Sequence, residues 1–451
     1  MDGCLAAEKS GKRGESLNSK VLSRMASIPQ SSHPLRRHAR VLMASLVGTA
    51  VEFYDFYIYA TAAALVIGPL FFPAQSAAAR TLLAFMTFGL AFVARPVGAV
   101  AFGHFGDRVG RKSTLVASLM LMGGSTLAIA FLPTYAVAGT LAPVLLCVMR
   151  FGQGFGLGGE WGGASLLAVE NAPPGWAARF GAAPQLGAPV GFLFANGLFL
   201  ILSLSLSPAD FATWGWRMPF LASALLVVLG LWVRLKITET PAFRAALEQA
   251  PPPRVPVGAL FAHHTGAVLA GIGGVMSAFA IFYLATTFSL SFATTRLGYT
   301  MQHFLAVQLA ANFALAAGIV FAGYWADRTS PARVLATGAA LTTIVGLVFG
   351  SGLASGSVPV VLCTLAVALF VMGLTYGPLG AWLPTLFPTP VRYTGISIAF
   401  NCGGILGGAL APFAASWLAF NGGVAYVGLF LTLAGAVTLA GVLTGRPAAT
   451  A

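Results

Sequence analysis

The sequence predicts an all-α membrane protein: twelve transmembrane helices in two pseudo-symmetric six-helix bundles. Three observations predict it. Of the 451 residues, 57% are hydrophobic and only 8% charged, whereas a soluble domain carries about 25% charged residues. Apolar runs of about 20 residues, the length that crosses roughly 30 Å of hydrocarbon, recur from Val41 almost to the C-terminus. The second half of the chain also echoes the first, and the basic residues collect in alternate connections.

Taken in order, the apolar runs place spans near residues 41–70, 80–103, 113–132, 143–168, 180–205, 216–235, 258–288, 303–325, 334–354, 359–381, 395–419 and 423–444. With the N-terminus inside, all but five of the 25 Lys and Arg lie in cytoplasmic segments. Arg80, Arg217 and Arg296 fall outside, and Arg95 and Arg150 fall within spans. The reversed topology would break the positive-inside rule. The net charge of +13 therefore reflects anchoring against an anionic leaflet, and no basic stripe with interleaved aromatics marks a nucleic-acid site.

Residues 1–38 are polar, Ser-rich and basic, with no apolar core long enough for a signal peptide; they read as a disordered cytoplasmic tail, and Met25 is an alternative start. The N-terminal half then occupies 39–236 and the C-terminal half 258–445, with a short cytoplasmic tail at 446–451. Between the halves, 237–257 is a polar cytoplasmic connector whose run APPPRVP acts as a stiff spacer. Cys147, Cys363 and Cys402 lie in spans and Cys4 in the tail, which offers neither a disulfide framework nor a C-x-x-C metal site.

Duplication ties the halves together. GHFGDRVGRKSTLVASL from Gly103 recurs weakly as GYWADRTSPARVLATGA from Gly323, each at the cytoplasmic end of the second span of its half. ENAPPGWAARFG before the fifth span is echoed by LFPTPVRYTG before the eleventh. Transporters built from such parallel repeats place their site at the repeat interface.

The pattern G-x-x-x-D-R-x-G-R-K, present as Gly103, Asp107, Arg108, Gly110, Arg111 and Lys112, resembles the signature loop of the major facilitator superfamily. More narrowly, GTAVEFYDFYIYA (48–60), RPVGAVAFGHFGDRVGRK (95–112), RFGQGFGLGGEWGGASLLAVENAPP (150–174), WGWRMPFL (214–221) and ETPAF (239–243), with GAPVG (187–191) and FPTPVRYTG (387–395), resemble its metabolite:proton symporter branch. The resemblance covers nearly all residues from about 40 to 445. It implies the major facilitator fold and uptake of an organic acid such as 2-oxoglutarate, citrate or shikimate, or of a solute such as proline or betaine, together with a proton.

Within the fourth span, Gly154, Gly156 and Gly159 fit G-x-G-x-x-G. A dinucleotide loop needs a strand before it and a helix after it in a soluble crossover unit, and an apolar span supplies neither. The glycines instead recur at helical spacing, Gly152/Gly156, Gly154/Gly158, Gly158/Gly162 and Gly159/Gly163, so that neighbouring backbones approach closely. Whether they also let this span slide is left open by the spacing.

Charges inside spans carry the functional reading, because one at the bilayer centre costs roughly 2.5 to 3.5 kcal/mol even on an insertion scale. Glu52, Asp55, Arg95, Arg150 and Glu160 must therefore face a cavity or one another. Glu52 and Asp55, three apart and flanked by Tyr54 and Tyr57, share a helix face. Either of them, or Glu160, is a candidate proton carrier, or the acids are fixed partners of Arg95 and Arg150. Arg95 and Arg150 are equally candidates for a carboxylate substrate, to which guanidinium offers paired donors. Gln153, on one stripe with Gly156 and Glu160, joins Tyr54, Tyr57 and Gln185 as candidate substrate contacts, while Asn196, Asn312, Tyr376 and Asn401 bind either substrate or a neighbouring helix.

On the cytoplasmic side, Arg108 and Arg111 face Glu170 at the inner end of the fourth span. The superfamily resemblance implies a latch there, with Asp107 opposite the start of the eleventh span, where helix amides favour an anion. Asp327 and Arg328 repeat the motif, but Ser330 and Pro331 replace the expected Gly and Arg, so the second copy is not expected to form a full latch.

The six histidines show no H-E-x-x-H or other metal spacing, and there is no Walker A pattern. No cofactor, metal, enzymatic activity or nucleic-acid partner is expected. The reading is a monomeric secondary transporter of the bacterial inner membrane, both termini cytoplasmic, whose partners are a small metabolite, a proton and the bilayer. An efflux antiporter on the same fold, kept open by GAPVG, is the alternative; a membrane sensor would more naturally carry an added signalling domain.

Overall fold

The structure is a computed structural model that describes residues 38–109, 111–158, 160–236 and 257–448. The backbone alone is described at 40–41, 103–109, 111–115, 160, 164, 167, 232–236, 257, 259 and 390. The tail reading for 1–37, the connector with ETPAF at 237–256, Gly110, Gly159 and the last three residues lie outside the described residues. The segment ending at Val41 is a unit of its own, of which His38 forms a turn and Ala39 opens a helix.

From Leu42 onward the chain is helical, and no strand occurs among the described residues. Among the described residues ten helices are long and apolar enough to cross a bilayer: α1 (Leu42–Phe71), α2 (Ala77–Phe102, continuing to Val109), α4 (Leu141–Glu170), α5 (Ala177–Ser205), α7 (Thr265–Arg296), α8 (Met301–Arg328), α9 (Pro331–Leu353), α10 (Val358–Leu386), α11 (Arg392–Asn421) and α12 (Val424–Thr444). Two with shorter apolar stretches, α3 (Arg111–Ile129) and α6 (Met218–Lys236), complete the twelve. Helices satisfy every backbone amide internally, which is why apolar segments of this length take that form in hydrocarbon.

Packing follows the duplication. In the first half α2 and α3 pack on α4, and α3 on α6; in the second, α8 and α9 pack on α10, and α9 on α12. The halves meet where α2 packs on α11 and α5 on α8. Odd-numbered helices start at one end of the bundle, here the near end, and return from the far end as even-numbered ones.

The glycine run of α4 resolves into two faces. A side chain at Gly154 would strike the carbonyl of Ala91, and one at Gly158 the backbone of Arg95, Gly98 and Ala99, all on α2. A side chain at Gly156 would point the other way, its Cβ 2.8 Å from Ser118 O and Met122 N of α3. These are close backbone contacts between three helices.

Among the described residues three π-helical turns interrupt the spans: Ala63–Ile67 in α1, Leu284–Phe288 in α7 and Ile405–Ala409 in α11. Those in α1 and α7, which correspond across the duplication, pack against each other. A π turn displaces carbonyls from the helical ladder. Gln308 of α8 answers two of them, donating from Nε2 to Ala285 O at 3.1 Å and Thr286 O at 2.7 Å.

Ser330 and Pro331 have a local explanation. The Ser330 hydroxyl caps α9 by accepting from Arg333 N at 3.2 Å, and Pro331 occupies its first turn, the positions these residues favour.

Candidate functional site

Where α1, α2, α7 and α10 converge between the halves, charge and aromatic rings are concentrated. Arg95 is buried, its guanidinium 4.2 Å from the ring centre of Phe56 and 4.8 Å from that of Phe92. The ring faces offer it the electrostatic attraction that a membrane interior otherwise denies a cation. Glu52, 7% exposed, interacts electrostatically with Arg95 and with Tyr57, Tyr283 and Tyr376. Tyr57 stacks on Phe282 of α7 at 4.7 Å between ring centres, and Tyr283 meets Phe88 and Phe92 of α2 edge-on.

Three polar atoms of this region are buried without a hydrogen-bond partner among the described residues: Arg95 Nε, Gln185 Nε2 and the Tyr376 hydroxyl. Buried polar groups are nearly always paired, so open polar atoms at one place could hold the polar groups of a ligand. Towards the near end Trp161 of α4 closes it, donating to Gln185 Oε1 at 3.2 Å and stacking on Phe400 of α11 at 3.5 Å. Asn401, next in sequence, donates to Gly158 O at 3.0 Å. Beyond Tyr57 towards the far end lies a narrow cleft between Thr61, Asn196, Thr286, Thr287 and Gln308.

Asp55 does not join Glu52. Three residues along a helix leave side chains about 60° apart, and here that separates them. Asp55 is fully buried inside the first half, where Oδ1 accepts from Ser223 of α6 at 2.5 Å and Oδ2 has no partner among the described residues. Arg150 does not hydrogen-bond to it: its guanidinium donates to Gln153 Oε1 and to the carbonyls of Phe88 (3.0 Å) and Thr87 (3.4 Å), and lies 3.7 Å over the Tyr59 ring. Gln153 Nε2 in turn donates to Asp55 O and Thr126 Oγ1, both at 2.9 Å. Tyr54 turns the same way, donating to Pro219 O at 2.9 Å. Among the sequence candidates, Glu52, Tyr57, Arg95 and Gln185 gather between the halves, whereas Tyr54, Asp55, Arg150 and Gln153 form a network within the first.

The remaining polar residues tie helices. Asn196 accepts from Thr61 at 2.5 Å, and Asn312 donates to Pro189 O at 2.9 Å across the α5–α8 contact. At the near end Asp327 accepts from the backbone N–H groups of Ala178 (2.7 Å) and Arg179 (3.2 Å) and from Arg179 Nε (2.5 Å). The second copy of the motif thus supplies an anion, Asp327, to the N-terminus of α5. Gly103, Asp107, Arg108 and Arg111 lie on described backbone at the ends of α2 and α3, Gly110 outside it, and the side chain of Glu160 is likewise outside; Glu170 is exposed at the end of α4 and Arg328 ends α8.

Sequence reasoning missed Tyr283, Trp161, Phe400, Ser223 and Arg179. Aromatics in an apolar span carry no sign of cost, and only FAIFY in α7, next to a π turn, could have pointed to Tyr283.

Comparison with known proteins agrees with this architecture. The family described as "Sugar (and other) transporter" matches residues 40–250. The chain is 46% identical to the inner membrane metabolite transport protein YhjE of Escherichia coli (strain K12), covering 92% of this chain and 95% of that one. It is 36% identical to the shikimate transporter of the same strain over 85% and 88% of the two chains, and 29% identical to the proline/betaine transporter of Salmonella typhimurium over 84% and 77%. Among solved structures, the proton:xylose symporter XylE bound to 6-bromo-6-deoxy-D-glucose shares the fold at a TM-score of 0.71 and 16% identity, covering 89% of this chain and 94% of that one. Fold, site and relatives define a membrane-spanning transporter of metabolites, not an enzyme. The chain belongs to the major facilitator superfamily, in the branch of these metabolite transporters.

Proposed function

We propose that the protein is a secondary transporter of the bacterial inner membrane that imports a small organic acid with a proton by alternating access. One observation carries the reading: Arg95, a buried cation with an open donor, lies over the rings of Phe56 and Phe92 where the two halves meet, and Glu52 sits one turn before Phe56 on α1. A guanidinium is the group that binds a carboxylate, and an acid beside it is the group that carries a proton. A relative named for shikimate, a carboxylic acid, and a fold neighbour named for proton symport support it.

The positive-inside distribution orients the near end and both termini to the cytoplasm. The site is shut towards that side by Trp161 and Phe400, by Asn401 and, at the surface, by Asp327 with Arg179. Releasing these contacts would open it inward. Arg108, Arg111, Asp107 and Glu170 would form the matching clasp of the other repeat.

The test is substrate-dependent proton movement into proteoliposomes across a panel of shikimate, 2-oxoglutarate, citrate, proline and betaine. Proton entry tied to uptake of one compound establishes symport and its substrate class. A preloaded compound that leaves as protons enter would replace this reading by efflux.

A further inference from the structure

Among the described residues three arginines lie at the far end of the bundle, and two of them are bound to the protein. Arg80 donates from Nε to Gln75 O at 2.8 Å and from Nη2 to Pro73 O at 2.6 Å. Arg217 donates from Nη1 to Ala130 O at 2.7 Å and Leu132 O at 2.8 Å. Each holds the carbonyls of a connection. Arg296, on the last turn of α7, has neither a hydrogen bond nor an ion pair among the described residues and lies 4.9 Å from the ring centre of Phe420 on α11. Its place at a helix C-terminus suits a cation but leaves its donors unused. Asp210 is the one acid that the sequence puts in a far-end connection, and its carboxylate accepts from the Ser207 hydroxyl at 2.7 Å.

Arg296 lines a cleft between α2, α7 and α11. Ser291 of α7 and Ser416 of α11, each 3% exposed, line it too, and their hydroxyls have no hydrogen-bond partner among the described residues. Buried hydroxyls are ordinarily paired. Thr81 of α2 also reaches the cleft, its own hydroxyl proton given to Ala77 O. A guanidinium only donates and a hydroxyl has one proton to give, so the group that completes this set is an acceptor, and the unpaired cation selects an anionic one. The rest of the lining is apolar, with Phe292 and Phe420. The enclosed volume is about 20 Å³, room for one oxygen atom rather than a whole anion, so an occupant reaches in from the surface. Trp417, next to Ser416 and 52% exposed, marks the level, because exposed indoles collect where hydrocarbon meets headgroups.

We propose that this cleft binds the phosphate of an anionic phospholipid at the far-end surface of the bilayer. One phosphate oxygen enters and accepts from Arg296, Ser291 and Ser416, and the acyl-bearing part of the molecule leaves past the phenylalanines. A free anion offers the same oxygen but gains nothing from an apolar wall. Thr81 belongs to the first half and the other residues to the second, so the headgroup sits on a seam between the halves and favours the arrangement in which both line one cleft. The site is independent of the transported compound and of its driving ion.

The experiment uses the full-length protein purified in a neutral detergent. The probes are dioleoyl phosphatidylglycerol, the zwitterionic phosphatidylcholine of the same chains, and inorganic phosphate. Retained lipid is read by native mass spectrometry and Tm is followed against probe concentration, since a ligand of the folded state raises Tm as its concentration grows. Phosphatidylglycerol should be retained and raise Tm, phosphatidylcholine should do so less, and phosphate should do neither. Arg296→Gln should weaken phosphatidylglycerol binding about tenfold or more, the loss expected for charge-assisted hydrogen bonds. Ser416→Ala should weaken it about 2- to 10-fold. Arg333→Gln, which removes the same charge from the near end, should leave it unchanged.

Equal affinity in Arg296→Gln and the wild type, or an equal loss in Arg333→Gln, would overturn the site. Protection by inorganic phosphate as strong as by the lipid would make it a free-anion site and overturn the lipid assignment. No response of the wild type to any probe would leave the cleft to water and overturn the proposal. Should Arg296→Gln fail to fold, Ser416→Ala decides: undiminished affinity in that variant would count against the site.

Discussion

Asp327, on the last turn of α8, accepts a 2.5 Å hydrogen bond from Arg179 on the first turn of α5 and at the same time holds two backbone amides of that helix. The contact joins opposite halves of the protein. It combines an ion pair with an anion at a helix N-terminus, a pairing worth about 1 to 2 kcal/mol when partly buried. Asp327→Ala removes both components and Arg179→Ala only the first. Transport rates should fall about 5- to 30-fold in Asp327→Ala and less in Arg179→Ala, with faster thiol labelling of cysteines placed near the start of α5. Equal rates in both variants and the wild type would deny the contact a part in the cycle.

Gln308 answers the carbonyls of Ala285 and Thr286 at the π turn of α7. Gln308→Leu removes both of these buried hydrogen bonds, at about 1 kcal/mol each. A lowered Tm in detergent is expected, with a larger drop than for Gln302→Leu, whose Nε2 donates to a single carbonyl, Ser203 O.

A side chain at Gly158 would meet the backbone of α2, which cannot move aside, whereas one at Gly197 meets nothing within 4 Å. Gly158→Val should abolish the monodisperse protein peak on size exclusion. Gly197→Ala should change Tm by less than the equivalent of about 0.5 kcal/mol.

Trp161→Phe keeps a ring against Phe400 but removes the donor to Gln185. With Gln185 then free to turn, substrate KM should rise about 5- to 10-fold at near-constant kcat, for the loss of about 1 kcal/mol of hydrogen bonding. A fall in kcat with KM unchanged would place Trp161 in gating rather than in the site.

Much of this was legible along the chain. Arg95, Glu52, Asp55 and Arg150 stood out because each is a charge inside an apolar run, and the helices occur where the runs do. Their partners were not legible. Glu52 and Asp55 look equivalent on a helical wheel, yet Asp55 is claimed by Ser223, 168 residues away, while Glu52 lies in the electrostatic reach of Tyr283 and Tyr376 of the other half. Arg179 lies in an ordinary basic loop until α8 brings Asp327 to it, and Ser330 and Pro331 read as motif decay although they cap α9.

By itself the sequence determined the class, the number of spans and which side chains must be sheltered, because the cost of exposing a charge or a backbone amide to hydrocarbon is a local property of each segment. The tertiary structure decided which of the sheltered charges meet between the halves and which are bound up inside one half. That choice depends on how helices far apart in sequence pack, and hydrophobic periodicity carries no record of the helix on the other side.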